Sequence, residues 1–398
     1  MLLTGYLGSG KTSLINALIA DSELRDTAVV VNEFGEIAVD YDLIQIESRR
    51  LLVTSTGCLC CTAASDVRAS LFELYEASRT GVAPRFSRVI VETTGLADPA
   101  PVVNSLTPGS IPASGSRDQT VAANFRLARI VTCFDALSGD YALDHAFEAV
   151  KQIAFADTVV VTKADVTGEQ GSSRNILNLR ARLLAINPFA EVIDRADVNF
   201  ADLFHGAYLD ANKVDDVPGW LALDRILWAE SRSGETRGVS SHAHDVRAIP
   251  LVCDGTITQE RLSLFLRMLL GTAGAQVMRV KGLIAIAGDL DRPTAIHATH
   301  NIIHPLVRLA GWPDADRRSR LVVIGRGLDE KAVDQVLRAL MKSDPVTSLG
   351  RRQQLRPLAL VVGLLSLIVL GVLALRLSES TVITANDPFR SSSTGDHP

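Results

Sequence analysis

The stretch "GYLGSGKTS", Gly5 to Ser13, constrains this chain more than any other. It fits the pattern G-x-x-x-x-G-K-[ST], with the apolar run "MLLT" before it and the amphipathic run "SLINALIAD" after it, so it reads as strand, loop and helix. A loop of this kind wraps phosphates with backbone N–H groups, here those of Gly5, Gly8, Ser9, Gly10 and Ser13. Lys11 then neutralises β- and γ-phosphate charge, and the Thr12 hydroxyl reaches magnesium. The strand before the loop has only Met1 to Thr4, short for a central strand, which leaves open a start upstream of Met1.

A phosphate loop by itself does not separate ATP from GTP. In "SRVIVETTGLADPAP" a buried-type strand ends in Glu92, followed by Thr93, Thr94 and Gly95. An acid there can hold Mg²⁺ directly or through water, and the Gly95 N–H can meet the γ-phosphate. The strand "DTVVVTKAD" ends in Thr162, Lys163, Ala164 and Asp165, similar to the guanine-selecting N/T-K-x-D element. Asp165 would accept the N1 and N2 hydrogens of guanine while Lys163 lies along the base. Adenine lacks that donor edge, so the set favours GTP. Net charge is −5, which gives no sign of a nucleic-acid partner.

Three of the five cysteines, Cys58, Cys60 and Cys61, fall within "GCLCC". No secretory signal precedes the loop, so a cytosolic setting is expected, where clustered thiols are metal ligands or redox groups rather than disulfide staples. Cys58 and Cys60 can reach one ion, with Cys61 joining if the backbone turns sharply. Zinc prefers four ligands, and thiolate softness suits it better than Mg²⁺ or Ca²⁺. The remaining ligand is water or a carboxylate of "NEFGEIAVDYD": Glu33, Glu36 or Asp40, with Glu36 preferred. A redox switch competes, but a disulfide between the adjacent Cys60 and Cys61 would be strained. His242 and His244 read as part of a solvated linker, and His297, His300 and His304, around a strand-like run, as packing residues on alternating faces. Cys133 and Cys253 lie in apolar strands and read as core.

Taken in order, "GYLGSGKTSL", "VVNEFGEIAVDYDLI", "GCLCC", "ETTGLADPAP", "QIAFADTVVVTKAD", "RVKGLIAIAG", "RPTAIHATHNIIHP" and "WPDADRRSRLVVIGRGLD" resemble the CobW-type GTPases, relatives of the UreG and HypB metal-insertion GTPases. The resemblance runs from Met1 to about Leu340. It accounts for Glu92 where most GTPases have aspartate. Departures are the short first strand, Thr162 in place of the commoner asparagine, and Thr56 where "NGC" is frequent. The family's cysteine motif is associated with zinc, cobalt or related metals. The resemblance therefore implies a slow, Mg²⁺-dependent GTPase working as a metallochaperone for a client metalloprotein, with Zn²⁺ or Co²⁺ as cargo and a homodimer as one open assembly. Other readings are an auxiliary GTPase of cobalt insertion in cobalamin synthesis, a GTP-gated adaptor and a thiol redox sensor.

Strands alternating with helices up to about Leu209 imply an α/β fold with a mainly parallel sheet covered on both faces. "LTPGSIPASGSRDQT" reads as an exposed loop. The expected division is a P-loop GTPase domain over 1–215, a linker over 216–244 and a smaller α/β domain of the CobW C-terminal type, with helices on one face of its sheet, over 245–341. A basic linker over 342–356, a transmembrane helix over 357–375 and a polar, disordered tail over 376–398 follow. The uncharged run "PLALVVGLLSLIVLGVLAL" would be about 28 Å long as a helix, close to a hydrocarbon core. Basic residues before it place the large N-terminal part in the cytoplasm, tethered to the membrane.

Overall fold

The computed structural model of the protein describes residues 1–31, 59–107, 112–113, 115–164, 172–205, 245–273 and 276–341. Short runs, β-branched in all but the first, form β1 (Leu2–Thr4), β2 (Thr27–Val31), β3 (Arg88–Glu92), β4 (Ile130–Asp135), β5 (Thr158–Thr162) and β6 (Glu191–Asp194). They pair in the order β2-β3-β1-β4-β5-β6, and every pairing is parallel. The helices between them are α1 (Lys11–Ala20), α2 (Leu59–Arg79), α3 (Ala100–Leu106), α4 (Gly115–Asn124), α5 (Gly139–His145), α6 (Phe147–Phe155) and α7 (Ser172–Ile186).

Alternation along each strand sorts the core into two layers. Leu3, Val29, Ile90, Val131 and Val160 pack with Leu14, Ile15 and Leu18 of α1. Leu2, Val30, Val91, Ile130 and Val159 face Leu71 of α2, Val103 of α3, Val150 of α6 and Leu183 of α7. With both faces covered, the strands can be apolar throughout, as parallel sheets require. The short β1 is central all the same: Leu2 sits between Val91 and Ile130, and all three residues of the strand are buried.

One expectation needs correcting. Part of the stretch read as an exposed loop, from Gly115 to Thr120, is helical in α4. Asp118 is buried there because Arg68 of α2 reaches it at 3.0 Å, while the same guanidinium donates to Ser105 O at 2.9 Å.

The second domain is an antiparallel sheet of β7 (Val246–Cys253), β8 (Val277–Ile286), β9 (Asp289–Thr299), β10 (Ile302–Ile303) and β12 (Ser319–Arg326), with β11 (Val307–Arg308) paired to β9. Its order is β10-β9-β8-β12-β7. The strand-like run around His297 is the end of β9. Helix α8 (Gln259–Ala273) packs against β8 and β10, and α6 and α7 lie against β8 and β7. Cover from both sides leaves every residue of β8 buried. The interface also holds a cation. Arg279 of β8 donates to Phe155 O at 2.6 Å and Ala156 O at 3.2 Å and pairs with Asp157 at 2.7 Å, so its buried charge is compensated at the end of α6.

Helix α9 (Glu330–Met341) begins at Asp329, whose carboxylate accepts from Ala332 N at 3.2 Å. Val333, Leu337 and Leu340 are buried, and Arg338 pairs with Asp334 one turn earlier at 2.6 Å. Among the described residues no helix is long and apolar enough to cross a membrane. The expected span over 357–375 and the tail lie outside the described residues.

Candidate functional site

The carboxyl ends of β1, β3, β4 and β5 meet at the middle of the parallel sheet, and the loop from Gly5 to Gly10 crosses above them. Its glycines are there for conformation and clearance. Gly5 has φ 146, and a Cβ on it would come within 2.5 Å of Cys133 O. Gly8, at φ 72, faces open space, and Gly10, at φ 88, is the N-cap of α1. Gly10 gives the first turn of α1 no side-chain cap, and that turn carries no acid, a helix start suited to an anion. Lys11 folds over the loop, donating from Nζ to Gly5 O at 2.9 Å and Tyr6 O at 3.4 Å. Thr12 is half-buried and Ser13 exposed beside it.

Glu92 ends β3, buried and in register with Leu3 and Val31. The chain then leans on β1, with Thr93 N bonding Leu3 O at 3.0 Å and the Thr93 hydroxyl bonding that of Thr4 at 3.0 Å. Gly95 lies directly against the phosphate-type loop: a Cβ there would stand 2.8 Å from Leu7 N. Gln152 of α6 holds this turn by donating to Gly95 O at 3.0 Å and Ala97 O at 3.2 Å.

From β5, the Thr162 hydroxyl donates to Ser9 O at 2.8 Å. Lys163, in the left-handed region at φ 58, places Nζ 2.9 Å from Gly8 O and 2.8 Å from Asp135 Oδ2. Burial would raise the Asp135 carboxyl, but Lys163, the Leu137 amide and the Ser138 hydroxyl together hold it below the usual range. The structure thus brings Gly5, Gly8, Ser9, Gly10, Lys11, Glu92, Gly95, Thr162 and Lys163 to one end of the sheet. Asp165 lies outside the described residues.

Sequence reasoning missed Asp135 and Gln152. Asp135 had a readable signal, an acid closing the apolar strand "RIVTCFD". Gln152 had none of its own, since its position under Gly95 arises from packing 57 residues away.

Cys60 and Cys61 occupy backbone positions at the start of α2. Cys58, Glu33, Glu36, Asp40, His242 and His244 lie outside the described residues. Among the described residues no three or more of His, Cys, Asp and Glu are grouped to hold a metal ion. Cys133 and Cys253 are buried and free of disulfides, and burial pushes the Cys133 thiol up to about 12. The three C-terminal histidines are not set apart by strand alternation as expected. The β9–β10 hairpin bonds His304 N to His297 O at 3.0 Å, while His300 sits at its turn with φ 50.

Residues 1–194 match the family "CobW/HypB/UreG, nucleotide-binding domain", and residues 246–341 match "Cobalamin synthesis protein cobW C-terminal domain". The chain is 26% identical over 351 residues to the "Zinc chaperone YjiA" of Escherichia coli (strain K12), covering 86% of this chain and 98% of that one. It is 26% identical over 360 residues to the "Zinc chaperone CobW" of Sinorhizobium sp, covering 85% and 96% respectively. The crystal structure of Zn(II)-bound YjiA GTPase from E. coli superposes with a TM-score of 0.62 at 21% identity, over 86% of this chain and 98% of that one, so the fold is shared. The chain belongs to the CobW/HypB/UreG family of GTPases and carries that family's C-terminal domain.

Proposed function

We propose that this chain is a Mg²⁺-dependent GTPase metallochaperone that carries a transition metal on Cys58, Cys60 and Cys61 and passes it to a client metalloprotein. One observation carries the nucleotide half: the loop from Gly5 to Gly10, the Glu92–Gly95 turn and the Thr162–Lys163 strut lie together at the carboxyl ends of adjoining strands. In this reading Lys11 and the loop amides hold phosphates, Thr12 and Glu92 hold Mg²⁺, and Asp165 selects guanine. Bound Mg²⁺ would supply charge neutralisation at the γ-phosphate. The metal half rests on the softness of clustered thiolates and on the names of the relatives, which point to zinc ahead of cobalt. Glu36 is the carboxylate proposed to complete the site. The division at 215, 245 and 341 and a membrane tether over 357–375 belong to the same reading. Removing the residues after Arg356 is expected to release the protein from the membrane fraction, and continued pelleting would refute the tether.

Coupling between the two halves is reciprocal: if GTP tightens metal binding, metal tightens GTP binding by the same factor. The test is a titration of the full chain with Zn²⁺ against a competing chelator, with and without Mg²⁺ and a non-hydrolysable GTP analogue. A variant with serine at Cys58, Cys60 and Cys61 runs in parallel. Thiol-dependent binding that shifts by about fivefold or more with nucleotide is expected. Binding indifferent to nucleotide, or unchanged in the serine variant, would sink the proposal.

A further inference from the structure

The turn after Glu92 is fastened residue by residue, and one of its fasteners comes from the other domain. Gln152 takes the carbonyls of Gly95 and Ala97. Next door on α6, Lys151 pairs with Asp98 at 2.8 Å, and the other oxygen of Asp98 accepts from Ala100 N at 2.9 Å, starting α3. Facing the same carboxylate from the C-terminal domain is His300, with Nε2 3.6 Å from Asp98 Oδ2. Burial alone would raise the Asp98 carboxyl, but His300, Lys151 and the Ala100 amide outweigh it and hold the group ionised well below the usual range.

His300 closes the hairpin turn in the left-handed region, at φ 50, a conformation that histidine adopts more readily than most side chains. Its ring packs against Phe155, with centroids 5.7 Å apart, and Nε2 is buried with no hydrogen-bond partner other than the carboxylate just beyond reach. Closing that gap by about half an ångström makes a charge-assisted hydrogen bond. The hairpin cannot drift freely from α6, because Arg279 in β8 holds the carbonyls of Phe155 and Ala156.

We infer that His300 is a positioning residue of the GTPase centre: through Asp98 it fixes the Gly95 turn, so the C-terminal domain sets how well the site distinguishes a γ-phosphate from its absence. The inference rests on the reading of Gly95 as the residue that meets the γ-phosphate. A partner that shifts the β9–β10 hairpin would thereby alter turnover without touching nucleotide.

The test uses the full chain and measures the affinity for a non-hydrolysable GTP analogue, the affinity for GDP, and the kcat and KM of hydrolysis. His300→Gly removes the imidazole at a φ that glycine adopts freely, so the backbone turn is retained and the melting temperature is expected to fall only slightly, the relief at φ 50 offsetting part of the lost packing on Phe155. Its preference for the analogue over GDP, and its kcat, should fall by about threefold to tenfold, with GDP affinity unchanged. His300→Gln, whose amide reaches the same distance, should restore most of the loss. Equal weakening of GDP and analogue would show a merely structural role and overturn the inference. If Gly95→Ala impairs discrimination while His300→Gly matches wild type, the clamp alone falls. If Gly95→Ala leaves discrimination intact, the reading beneath the clamp falls, and the clamp with it.

Discussion

At position 162 a threonine hydroxyl joins the end of one strand to the loop above the sheet. Thr162 ends a fully buried strand and donates to Ser9 O at 2.8 Å, with Phe134 O at 3.2 Å as its second acceptor. That bond ties β5 to the phosphate-type loop from below, whereas Lys163 ties it from the open side through Gly8 O. Thr162→Val keeps the shape and removes the donor, leaving buried carbonyl oxygens short of a partner at a cost of about 1–3 kcal/mol. Because the loop serves every phosphate, GDP and GTP-analogue affinities should weaken together, and Thr162→Ser should recover both. Calorimetric titration of the two nucleotides checks this, and an effect confined to the analogue would contradict it. Thr162, Lys163 and Glu92 were legible in the sequence because each follows a β-branched run that must be interior, so a polar residue at its end has few roles. Gln152 was not, since a neutral amide on a helix gains its role from what packing places above it.

Among the elements, α2 and α4 show where local composition misleads. Pro, Gly and Ser over residues 107–116 read as a connection, yet α4 begins at Gly115. What decides the matter is Arg68, 50 residues upstream, whose guanidinium pairs with Asp118 and also takes Ser105 O at the end of α3. No window along the chain contains that pair. Both side chains are nearly dry, at 7% and 9% exposed, so removing Arg68 leaves the buried Asp118 carboxylate only the half-exposed Arg117, at 3.3 Å, for compensation, while replacing both members need not leave a buried charge. Arg68→Met is expected to destabilise by about 3–5 kcal/mol, and Arg68→Met with Asp118→Leu to recover most of that loss. The midpoint of urea unfolding for the two single variants and the double variant gives the coupling directly. A double variant no better than the singles would mean that the Ser105 contact, not the ion pair, holds α2 to α3 and α4.

For the molecule as a whole, the parallel sheet and its polar edge follow from patterns within single strands, but the way the antiparallel sheet meets α6 and α7 does not. That junction is built from groups whose partners lie more than a hundred residues away, such as Arg279 with Asp157 and His304 with Asn104. It also makes the fold sensitive to acid in a defined window. His304, its Nε2 3.3 Å from Asn104 Oδ1, is lowered from 6.5 to about 4, first by burial and then by the charge of Arg279. His297 is held well below its ordinary value too, by burial first and then by Lys281, Arg279 and His304. Both are neutral in the fold and take up a proton once unfolded. The unfolded chain therefore binds more protons below about pH 6.5, and stability is full above that value and falls as the pH drops toward 4. The drop of His304 corresponds to at most about 3 kcal/mol once pH has passed its folded value, and the Asp98 carboxylate adds a separate loss only in stronger acid. Urea midpoints of the full chain should fall steadily from pH 7 to pH 5. His304→Gln, which keeps a donor for Asn104 without a titrating group, should flatten part of that slope and leave the remainder to His297. An unchanged slope in this variant would mean that His304 takes up its proton alike in the folded and unfolded chain, and that burial beside Asn104 and Arg279 does not keep it neutral.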